Sequence, residues 1–589
     1  MDQSLILSNY TQLWAHINTK RRIQLGILFL LMIFTSIAEV ASIGSVIPFL
    51  SMLVAPENFL NLPLIQPFLS IVNYDSPQQL LLPLTIIFIA TALLAGTLRL
   101  ILLWAQMRIS YEMGAGFSVC IYERTLYQTY STHVARNSSE IVSAIISKSN
   151  ELVYGALYPF LVLLASALMF GMILTALVFI DPIIAVAASL GFGIIYFFVI
   201  FLTKKQVSKD AYVISREQSE VVKALQEGLG GIRDILLDGS QQAYVEIYRR
   251  SENSLRRAQA NVQIMGTCPR FLIEAVAMAL IAWLAYMICK SSEGGTRVIP
   301  VLGALALGAQ RLLPILQQAY AAWTQIHSSK VSVRDALILL NQPMPVQDQK
   351  STLPFENGVM LSDISYRYST DRPWIVKNIT LSFKRGERIG IIGTTGSGKS
   401  TLIDIVMALL QPVEGNLIVD GCVIDSQNQL NWQANIAHVP QNIFLADASI
   451  AENIAFGVDF SSIDFERVYE VAKKVQIFDA VMKLDSKFKT KIGERGVRLS
   501  GGERQRIGIA RALYKKASII IFDEATSALD IKTEREVMEA IEYLDNNLTI
   551  IIIAHRITTL SKCNNIYELK NGAISHYSSY EELLKNNDK

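Results

Sequence analysis

The chain has 589 residues and a formal net charge of +2, and 51% of its residues are hydrophobic while 18% are charged. This composition is too apolar for an ordinary soluble protein, and the length is too great for one domain. The nearly balanced charge gives no indication of nucleic-acid binding. We therefore expect at least two domains, one of them in a membrane.

Six apolar runs precede residue 330, each long enough to cross about 30 Å of hydrocarbon as a helix. They lie near 23–54, 79–107, 156–180, 182–203, 268–290 and 298–325. Asp181-Pro182 separates the third run from the fourth and predicts a tight hairpin at one membrane face. Pairs of buried soluble helices are the alternative, but six successive runs favour a transmembrane domain over residues 1–340.

Basic residues set the orientation of these spans. They flank the first run and fill the stretches between runs two and three and between runs four and five; examples are Lys20, Arg21, Arg22, Arg108, Arg124, Lys204, Lys205, Arg249 and Arg256. The stretch 55–78 carries no Lys or Arg. Basic stretches remain cytoplasmic, so we expect both termini in the cytoplasm. Residues 1–20 show no signal-peptide pattern, so we expect no removable leader.

The cytoplasmic stretches keep a helical spacing of apolar residues, in 141–148 and in 221–229. We therefore expect membrane helices that continue far beyond the bilayer. Residues 341–355 contain three prolines and predict a linker; these are Pro343, Pro345 and Pro354. Residues 356–589 then follow the pattern of a soluble α/β domain.

The five cysteines are scattered along the chain without CxxC spacing or nearby paired histidines; they are Cys120, Cys268, Cys289, Cys422 and Cys563. This spacing favours buried free thiols over a disulfide framework or a metal site.

A glycine-rich segment, Gly393–Ser400, lies between a predicted strand over 388–392 and a predicted helix over 400–410. This context predicts a phosphate-binding loop, because its N–H groups and the start of the helix attract anions. We expect Lys399 to neutralise phosphate oxygens and Ser400 to hold Mg²⁺. The candidate nucleotide contacts are Gly393, Thr394, Thr395, Gly396, Ser397, Gly398, Lys399, Ser400 and Thr401.

Two carboxylates, Asp523 and Glu524, follow a buried strand predicted over 518–522. Strands of a parallel sheet present their carboxyl ends to ligands. We expect Asp523 to orient Mg²⁺ through water and Glu524 to act as general base toward the attacking water.

A third motif, Leu499–Arg506, lies between the loop and the carboxylates and reads Leu-Ser-Gly-Gly-Glu-Arg-Gln-Arg. The three motifs in this order resemble the ATP-binding cassette (ABC) family. The resemblance implies that Ser500, Gly501 and Gly502 face the γ-phosphate bound to a partner cassette. It also implies a loop at 527–530 that links the two sites.

The same resemblance assigns further roles in the cassette. His555 corresponds to a switch histidine that senses the γ-phosphate, and Gln441 to a glutamine that reaches the metal and the water. Tyr368, which we place before the first cassette strand, corresponds to the aromatic that stacks on adenine; Tyr366 is the alternative. Six spans followed by one cassette resemble an exporter half-transporter, which implies ATP, Mg²⁺ and a homodimer, with transverse helices at the cytoplasmic tips.

Charged residues inside membrane spans are costly and indicate function. Arg99, Arg270 and Arg311 lie within or at the start of spans. They either pair with Glu39 and Glu274 or form an electropositive cavity for an anionic headgroup.

Four membrane segments, 35–49, 231–239, 269–275 and 310–314, resemble bacterial flippases for lipid-linked oligosaccharides. This resemblance implies export of a polyprenyl-diphosphate glycolipid across the bacterial cytoplasmic membrane, with the three arginines near its diphosphate. The stretch 55–78 is either an amphipathic helix at the outer surface or a plain connector. Export of another lipid, a drug or a peptide is the alternative, and an ATP-gated channel or regulatory membrane ATPase a further one.

Overall fold

A computed structural model describes residues 2–54, 80–180, 182–290, 298–344, 352–524, 547–554, 556–570 and 572–587. The chain divides into two compact units. The first consists of Met1–Gln128 and Thr132–Met344, and the second of Thr129–Ser131 and Pro345–Lys589. The division after Met344 falls inside the predicted linker, of which residues 345–351 lie outside the described residues.

The described part of the first unit is helical, and its helix over Tyr130–Ala135 begins with two residues, Tyr130 and Ser131, that are assigned to the second unit. Its α-helices are α1 (Asp2–Ala15), α2 (Thr19–Val54), α3 (Leu81–Leu126), α4 (Tyr130–Ala135), α5 (Ser138–Ser143), α6 (Ser149–Glu151), α7 (Tyr158–Ile180), α8 (Pro182–Gly230), α9 (Ile232–Asp238), α10 (Gln241–Thr267), α11 (Pro269–Lys290) and α12 (Val298–Leu340). Helices lie over all six predicted spans, and α7 and α8 are separated only by Asp181, which lies outside the described residues.

Three helices among the described residues are long and apolar enough to cross a membrane, over Thr19–Val46, Leu81–Leu126 and Ser138–Phe179. Many of their large apolar side chains face outward; Leu93 is 67% exposed and Trp104 is 68% exposed. A helix that exposes apolar side chains in this way is stable in lipid, where no water contacts them. The prediction of six spans stays a prediction, because many side chains in α8, α11 and α12 are not described.

The helices α3 and α8 extend well past their apolar runs, with 46 and 49 residues. This agrees with the expected continuation beyond the bilayer, since a helix of about 46 residues is about 70 Å long. The short helices α4 and α9 follow α3 and α8, where the resemblance implied transverse helices.

Between α5 and α7 the helix contains two π-helical segments, Ala144–Lys148 and Leu152–Leu157. Buried polar contacts surround them. The Lys148 ammonium donates to Oδ2 of Asp335 at 2.7 Å, and the Ser215 hydroxyl donates to the same oxygen at 2.7 Å. Ser329 donates to Glu151 in the same way, at 2.7 Å. These contacts tie the π-helical region to α8 and α12.

The cysteine prediction is partly wrong. The described cysteines are free thiols, and Cys563 is buried. Cys268 and Cys422 are exposed, because the first lies between two helices and the second on a two-residue edge strand. The side chain of Cys289 is not described.

The second unit contains two sheets among its described residues. The smaller is antiparallel, with strand order β2-β1-β4-β5, and the larger has the order β10-β9-β3-β8-β7-β6. The strands are β1 (Gly358–Tyr366), β2 (Val376–Lys384), β3 (Arg388–Gly393), β4 (Glu414–Val419), β5 (Cys422–Val423), β6 (Ile436–Val439), β7 (Ile519–Asp523), β8 (Thr549–Ile553), β9 (Asn565–Lys570) and β10 (Ala573–Tyr577).

From β9 to β6 the strands of the larger sheet are parallel, and only its edge strand β10 is antiparallel among those described. Both faces of this sheet are covered. Along β7, Ile519 and Ile521 belong to one apolar core while Ile520 and Phe522 belong to the other. A continuous apolar strand is what burial on two faces requires.

The helices of the second unit are shorter. They are α13 (Lys399–Val406), α14 (Gln429–Gln433), α15 (Ile450–Ile454), α16 (Phe465–Lys474), α17 (Phe478–Met482), α18 (Gly501–Tyr514) and α19 (Tyr580–Asn587). The helix predicted over 400–410 ends earlier than expected. Ala408 adopts a φ of 51°, which an α-helix does not accommodate.

Candidate nucleotide site and membrane cavity

The predicted phosphate loop connects β3 to α13, at the carboxyl edge of the larger sheet. Gly393, Gly396 and Gly398 have φ values of 155°, 83° and 102°, which L side chains rarely adopt. A Cβ atom at Gly393 would lie 2.3 Å from the carbonyl oxygen of Leu569. The loop therefore needs glycine both for its backbone angles and for its close approach to β9.

The side chain of Lys399 folds back onto this loop. Its ammonium donates to the carbonyl oxygens of Gly393 and Thr394, at 2.7 and 3.1 Å. Burial lowers the pKa of Lys399, and the carboxylates of Glu524 and Asp523 oppose part of this shift. The acidic neighbours favour the protonated form of Lys399, and the ammonium is the form that binds phosphate oxygens.

Ser397 supplies a second indication of a ligand. Its hydroxyl oxygen is buried and has no hydrogen-bond partner among the described residues. Buried polar atoms are usually satisfied, so this hydroxyl suits a group that the chain itself does not provide. Together with the N–H groups at the start of α13, it fits the phosphate chain of a nucleotide.

The two predicted carboxylates lie at the end of β7. Asp523 is the last residue of the strand and pairs with Ile553 of β8. Glu524 has a φ of 50°, and its backbone N–H donates to the carbonyl oxygen of Ile553 at 3.1 Å. The left-handed backbone at Glu524 ends the extended strand at the edge of the sheet where the phosphate loop begins.

Gln441 contacts the second of these carboxylates. Its side-chain amide donates to Oε2 of Glu524 at 2.7 Å. Gln441 follows β6, which is the neighbour of β7 in the sheet, so the adjacent strand ends bring the two side chains together. The expected metal ligands therefore lie at the same edge of the sheet. Gln441 follows one parallel strand, Asp523 ends another, and Ser400 lies in the first turn of the helix after a third.

Asp404 is a member of this region that sequence analysis missed. It lies on α13, and burial together with the nearby Asp523 raises its pKa from 3.8 to about 6. Its only indication in the sequence is an acid on the helix that follows the phosphate loop.

Ser500 begins α18 as its N-cap. Its hydroxyl donates to Oε2 of Glu503 at 2.7 Å, and the Glu503 N–H donates back to that hydroxyl at 3.3 Å. This capping box occupies the serine side chain. The N–H groups of Gly501 and Gly502 then open the first helical turn, where intrahelical acceptors are lacking. The start of this helix offers N–H groups to an anion, and the expected contact with a partner's γ-phosphate stays a prediction.

The predicted position of Tyr368 relative to the first strand is wrong. Strand β1 ends at Tyr366, so Tyr368 follows the first strand because the chain enters the sheet earlier than expected. Tyr366 is buried, whereas Tyr368 is 47% exposed and meets the ring of Tyr366 edge-on at 5.3 Å. An exposed ring is the one that can stack on a base. His555 and the loop at 527–530 lie outside the described residues.

In the first unit, two of the three predicted arginines are paired. Arg99 Nε lies 3.2 Å from Oε1 of Glu39, whose side chain is 1% exposed. Arg270 Nε lies 2.8 Å from Oε1 of Glu274, one helical turn away. The structure therefore bears out the pairing alternative for these two. The side chain of Arg311 is not described.

Arg99 lines a cavity of about 600 Å³ between helices of the first unit, and Arg270 lines a smaller one of about 320 Å³. The two cavities share Gly266, Thr267, Gln318 and Ala321. The structure thus places both arginines along one connected set of lining residues.

Comparisons with known proteins agree with this organisation. Residues 376–527 match the family model described as ABC transporter. Over 477 residues the chain is 28% identical to an ATP-dependent lipid A-core flippase of Saccharophagus degradans, covering 79% of this chain and 78% of the flippase. Over 390 residues it is 30% identical to the heterocyst differentiation ATP-binding protein HepA of Nostoc sp., covering 65% of this chain and 63% of that protein.

The fold has a counterpart among solved structures. A bacterial Atm1-family ABC exporter with ATP bound superposes with a TM-score of 0.77 at 21% identity, over 96% of both chains. The arrangement of transmembrane helices followed by a phosphate-loop domain is therefore the fold of that exporter.

Proposed function

Residues 376–527 form an ATP-binding domain of the ABC transporter family, and on this premise we propose that the chain hydrolyses ATP to export a lipid-linked glycan across the bacterial cytoplasmic membrane. The proposal that ATP is hydrolysed rests on the contact of 2.7 Å between Gln441 and Glu524, because this contact holds the expected general base at the edge where the phosphate loop begins.

The described residues have the chemistry that Mg²⁺ and ATP require. Lys399 would leave one of its two loop carbonyls to bind β and γ oxygens, and the Ser397 hydroxyl would gain an acceptor. Ser400, Asp523 and Gln441 offer oxygens of the kind that Mg²⁺ prefers. The bound metal would neutralise the charge that develops on the phosphate. Glu524 would accept the proton of the attacking water, and Gln441 would orient that water.

A second subunit completes the proposal. The start of α18 offers the N–H groups of Gly501 and Gly502 to an anion, while the phosphate loop offers a separate set. In a head-to-tail homodimer each nucleotide would lie between the loop of one cassette and Ser500–Gly502 of the other. His555 would sense the γ-phosphate there, and Tyr368 would stack on adenine.

The cargo is proposed from the first unit. The side chains of Arg99 and Arg270 are 45% and 56% exposed, and each lines a cavity. Guanidinium groups bind phosphate oxygens in paired geometry, even where one edge already contacts a carboxylate. A polyprenyl diphosphate with an attached glycan combines such an anion with a lipid. The relative named as a lipid A-core flippase, aligned over 79% of the chain, supports a lipid rather than a drug or peptide.

Transport in proteoliposomes tests this function. The probe is a polyprenyl diphosphate that carries a disaccharide of N-acetylglucosamine. Added periodate, which does not cross the bilayer, oxidises only the sugars on the outer leaflet. External ATP drives only those molecules whose cassettes face outward, and these move the lipid from the outer leaflet to the inner one. Added ATP should therefore lower the oxidised fraction.

Two controls make this test specific. Glu524→Gln should abolish the effect of ATP, and a polyprenyl glycoside without the diphosphate should not be moved. The proposal is wrong if ATP leaves the oxidised fraction of the diphosphate lipid unchanged, or changes both lipids equally.

A further inference from the structure

The larger cavity is polar but carries little net charge. Arg99 is the charged residue among its described lining, and Glu39 offsets it at 3.2 Å. The remaining polar side chains are neutral amides and hydroxyls. They include Gln263, Thr267, Gln318, Thr324, Gln325 and Tyr154. A cavity built in this way suits a neutral ligand with many hydroxyl groups better than an ion.

Helical spacing aligns these amides. Gln318 and Gln325 are seven residues apart on α12, and therefore lie on the same face two turns apart. Ala321 and Ala322, which lie between them in the sequence, also line the cavity, and their small side chains leave room for a ligand. On α10, Gln263 and Thr267 are one turn apart and face the same space.

The two polar faces approach each other closely at one end. A Cβ atom at Gly266 would lie 3.8 Å from the methyl group of Thr324, so the small glycine allows α10 and α12 to approach there. The cavity volume of about 600 Å³ falls within the range of about 300–1,000 Å³ that small-molecule sites occupy.

Three of the amides are available to a ligand. The side chains of Gln263, Gln318 and Gln325 form no hydrogen bond to any described residue, whereas the Gln106 amide donates to the carbonyl oxygen of Leu161 at 3.2 Å. A glutamine amide both donates and accepts, as a sugar hydroxyl does, so the two match in either direction. The Tyr154 ring, 50% exposed, adds an aromatic surface for the apolar face of a sugar ring.

We propose that this cavity binds the glycan of the exported lipid, through hydrogen bonds from the amides of Gln263, Gln318 and Gln325 to sugar hydroxyls. The inference rests on the proposed function and deepens it, because it makes the glycan enter the protein. The diphosphate then lies toward Arg99 and the adjoining cavity of Arg270, and the sugars toward the amides. Within the larger cavity, the glycan is recognised by its hydroxyl groups and not by charge.

The test compares two lipids in nanodiscs that contain the full-length protein. One is polyprenyl diphosphate, and the other is the same lipid with a disaccharide of N-acetylglucosamine. The concentration of each lipid that gives half of its maximal ATPase stimulation is measured, and each rate is divided by the same variant's rate without added lipid. In the wild type, the sugar-bearing lipid should act at a concentration about tenfold lower than the bare lipid, as expected for two or three neutral hydrogen bonds.

The double variant Gln318→Leu/Gln325→Leu should raise the half-stimulating concentration of the sugar-bearing lipid to that of the bare lipid, with the bare lipid unaffected. Gln259→Leu is the matched control, because Gln259 lies on α10 one turn before Gln263 and does not line the cavity; it should keep the wild-type difference. Gln263→Leu alone should reduce the difference partly.

The outcomes separate the two proposals. If the double variant unfolds at the wild-type temperature and keeps the full difference between the lipids, the glycan site is wrong while the proposed function stands. If the wild type responds equally to both lipids, the glycan site is also wrong. If the wild type responds to neither lipid, the proposed cargo fails, and the glycan site fails with it.

Discussion

The side-chain amide of Gln441 donates a hydrogen bond of 2.7 Å to Oε2 of Glu524. One of these residues follows β6 and the other follows β7, so a contact between adjacent strand ends fixes the carboxylate. The amide cannot take a proton from Glu524, and it leaves the second carboxylate oxygen to accept one from water. The contact therefore orients the proposed general base without neutralising it.

Glu524→Gln keeps the shape of this side chain and removes its basicity. We expect ATP hydrolysis to fall by about 10²- to 10⁴-fold, the usual contribution of a general base, while ATP binding is retained. Phosphate release and bound nucleotide are measured on the same preparation. Glu414→Gln, at the exposed start of β4, is the control and should hydrolyse ATP normally. Near-normal phosphate release from Glu524→Gln would reject this base.

Lys399→Met removes the ammonium that contacts two loop carbonyls and leaves a side chain of similar length. Charge-assisted hydrogen bonds contribute about 1.5–3 kcal/mol each, so the Kd for ATP should rise by about 10- to 100-fold. Binding is measured by equilibrium titration with ATP. Lys384→Met, an exposed lysine at the end of β2, should bind as the wild type does. Unchanged affinity in Lys399→Met would contradict the assigned role.

Asp404 has a pKa of about 6 in the folded chain, against 3.8 ordinarily. Between these values the folded state binds a proton that the unfolded state has lost, so the free energy of unfolding falls as pH rises through this window. Asp404→Asn removes this loss. The variant should be more stable than the wild type at pH 7.5, by about 1–2 kcal/mol because solvent screens this partly exposed carboxyl, and the gain should vanish near pH 4.

Thermal unfolding of both proteins across this pH range measures the difference. Asp371→Asn, in an exposed turn, is the control and should show no such trend. A stability difference for Asp404→Asn that is the same at pH 4 and pH 7.5 would show that burial of this carboxyl does not couple to folding.

Lys148 and Asp335 form an ion pair of 2.7 Å, with the lysine side chain only 10% exposed. Asp335→Asn leaves the Lys148 ammonium poorly solvated, so it should lower the unfolding temperature more than the double variant does. Lys148→Met should have a smaller effect, because Asp335 is 33% exposed and keeps the hydrogen bond from Ser215. The coupling energy from a double-mutant cycle should be about 1–3 kcal/mol. The exposed pair Arg256 and Glu252 should give less than about 0.5 kcal/mol. Additive effects at Lys148 and Asp335 would contradict a coupled pair.

Patterns that depend on local spacing were predictable from the sequence. The glycines of the phosphate loop, the strand before Asp523 and the cap at Ser500 each follow from a few adjacent residues. The packing partners were not. Tyr368 was placed before the first strand because the linker hides where the sheet begins, and the elevated pKa of Asp404 requires Asp523 from a distant strand.

The membrane unit shows the same limit. The arginines were visible as charges in apolar runs, and Glu39 and Glu274 as candidate partners, but only the helix packing decides between pairing and an open cavity. Gln318 and Gln325 were not among the predicted site residues, because an uncharged amide in an apolar helix is a weaker indication of function than a charged group. Their spacing of seven residues was the available indication.

The π-helical segments at Ala144–Lys148 and Leu152–Leu157 each hold one residue more than an α turn would need. Returning one of them to α geometry rotates the adjoining helix by about 100° and shifts it by about 1.5 Å. Lys148 then no longer faces Asp335. Loss of that ion pair would therefore report such a change of register in the helix.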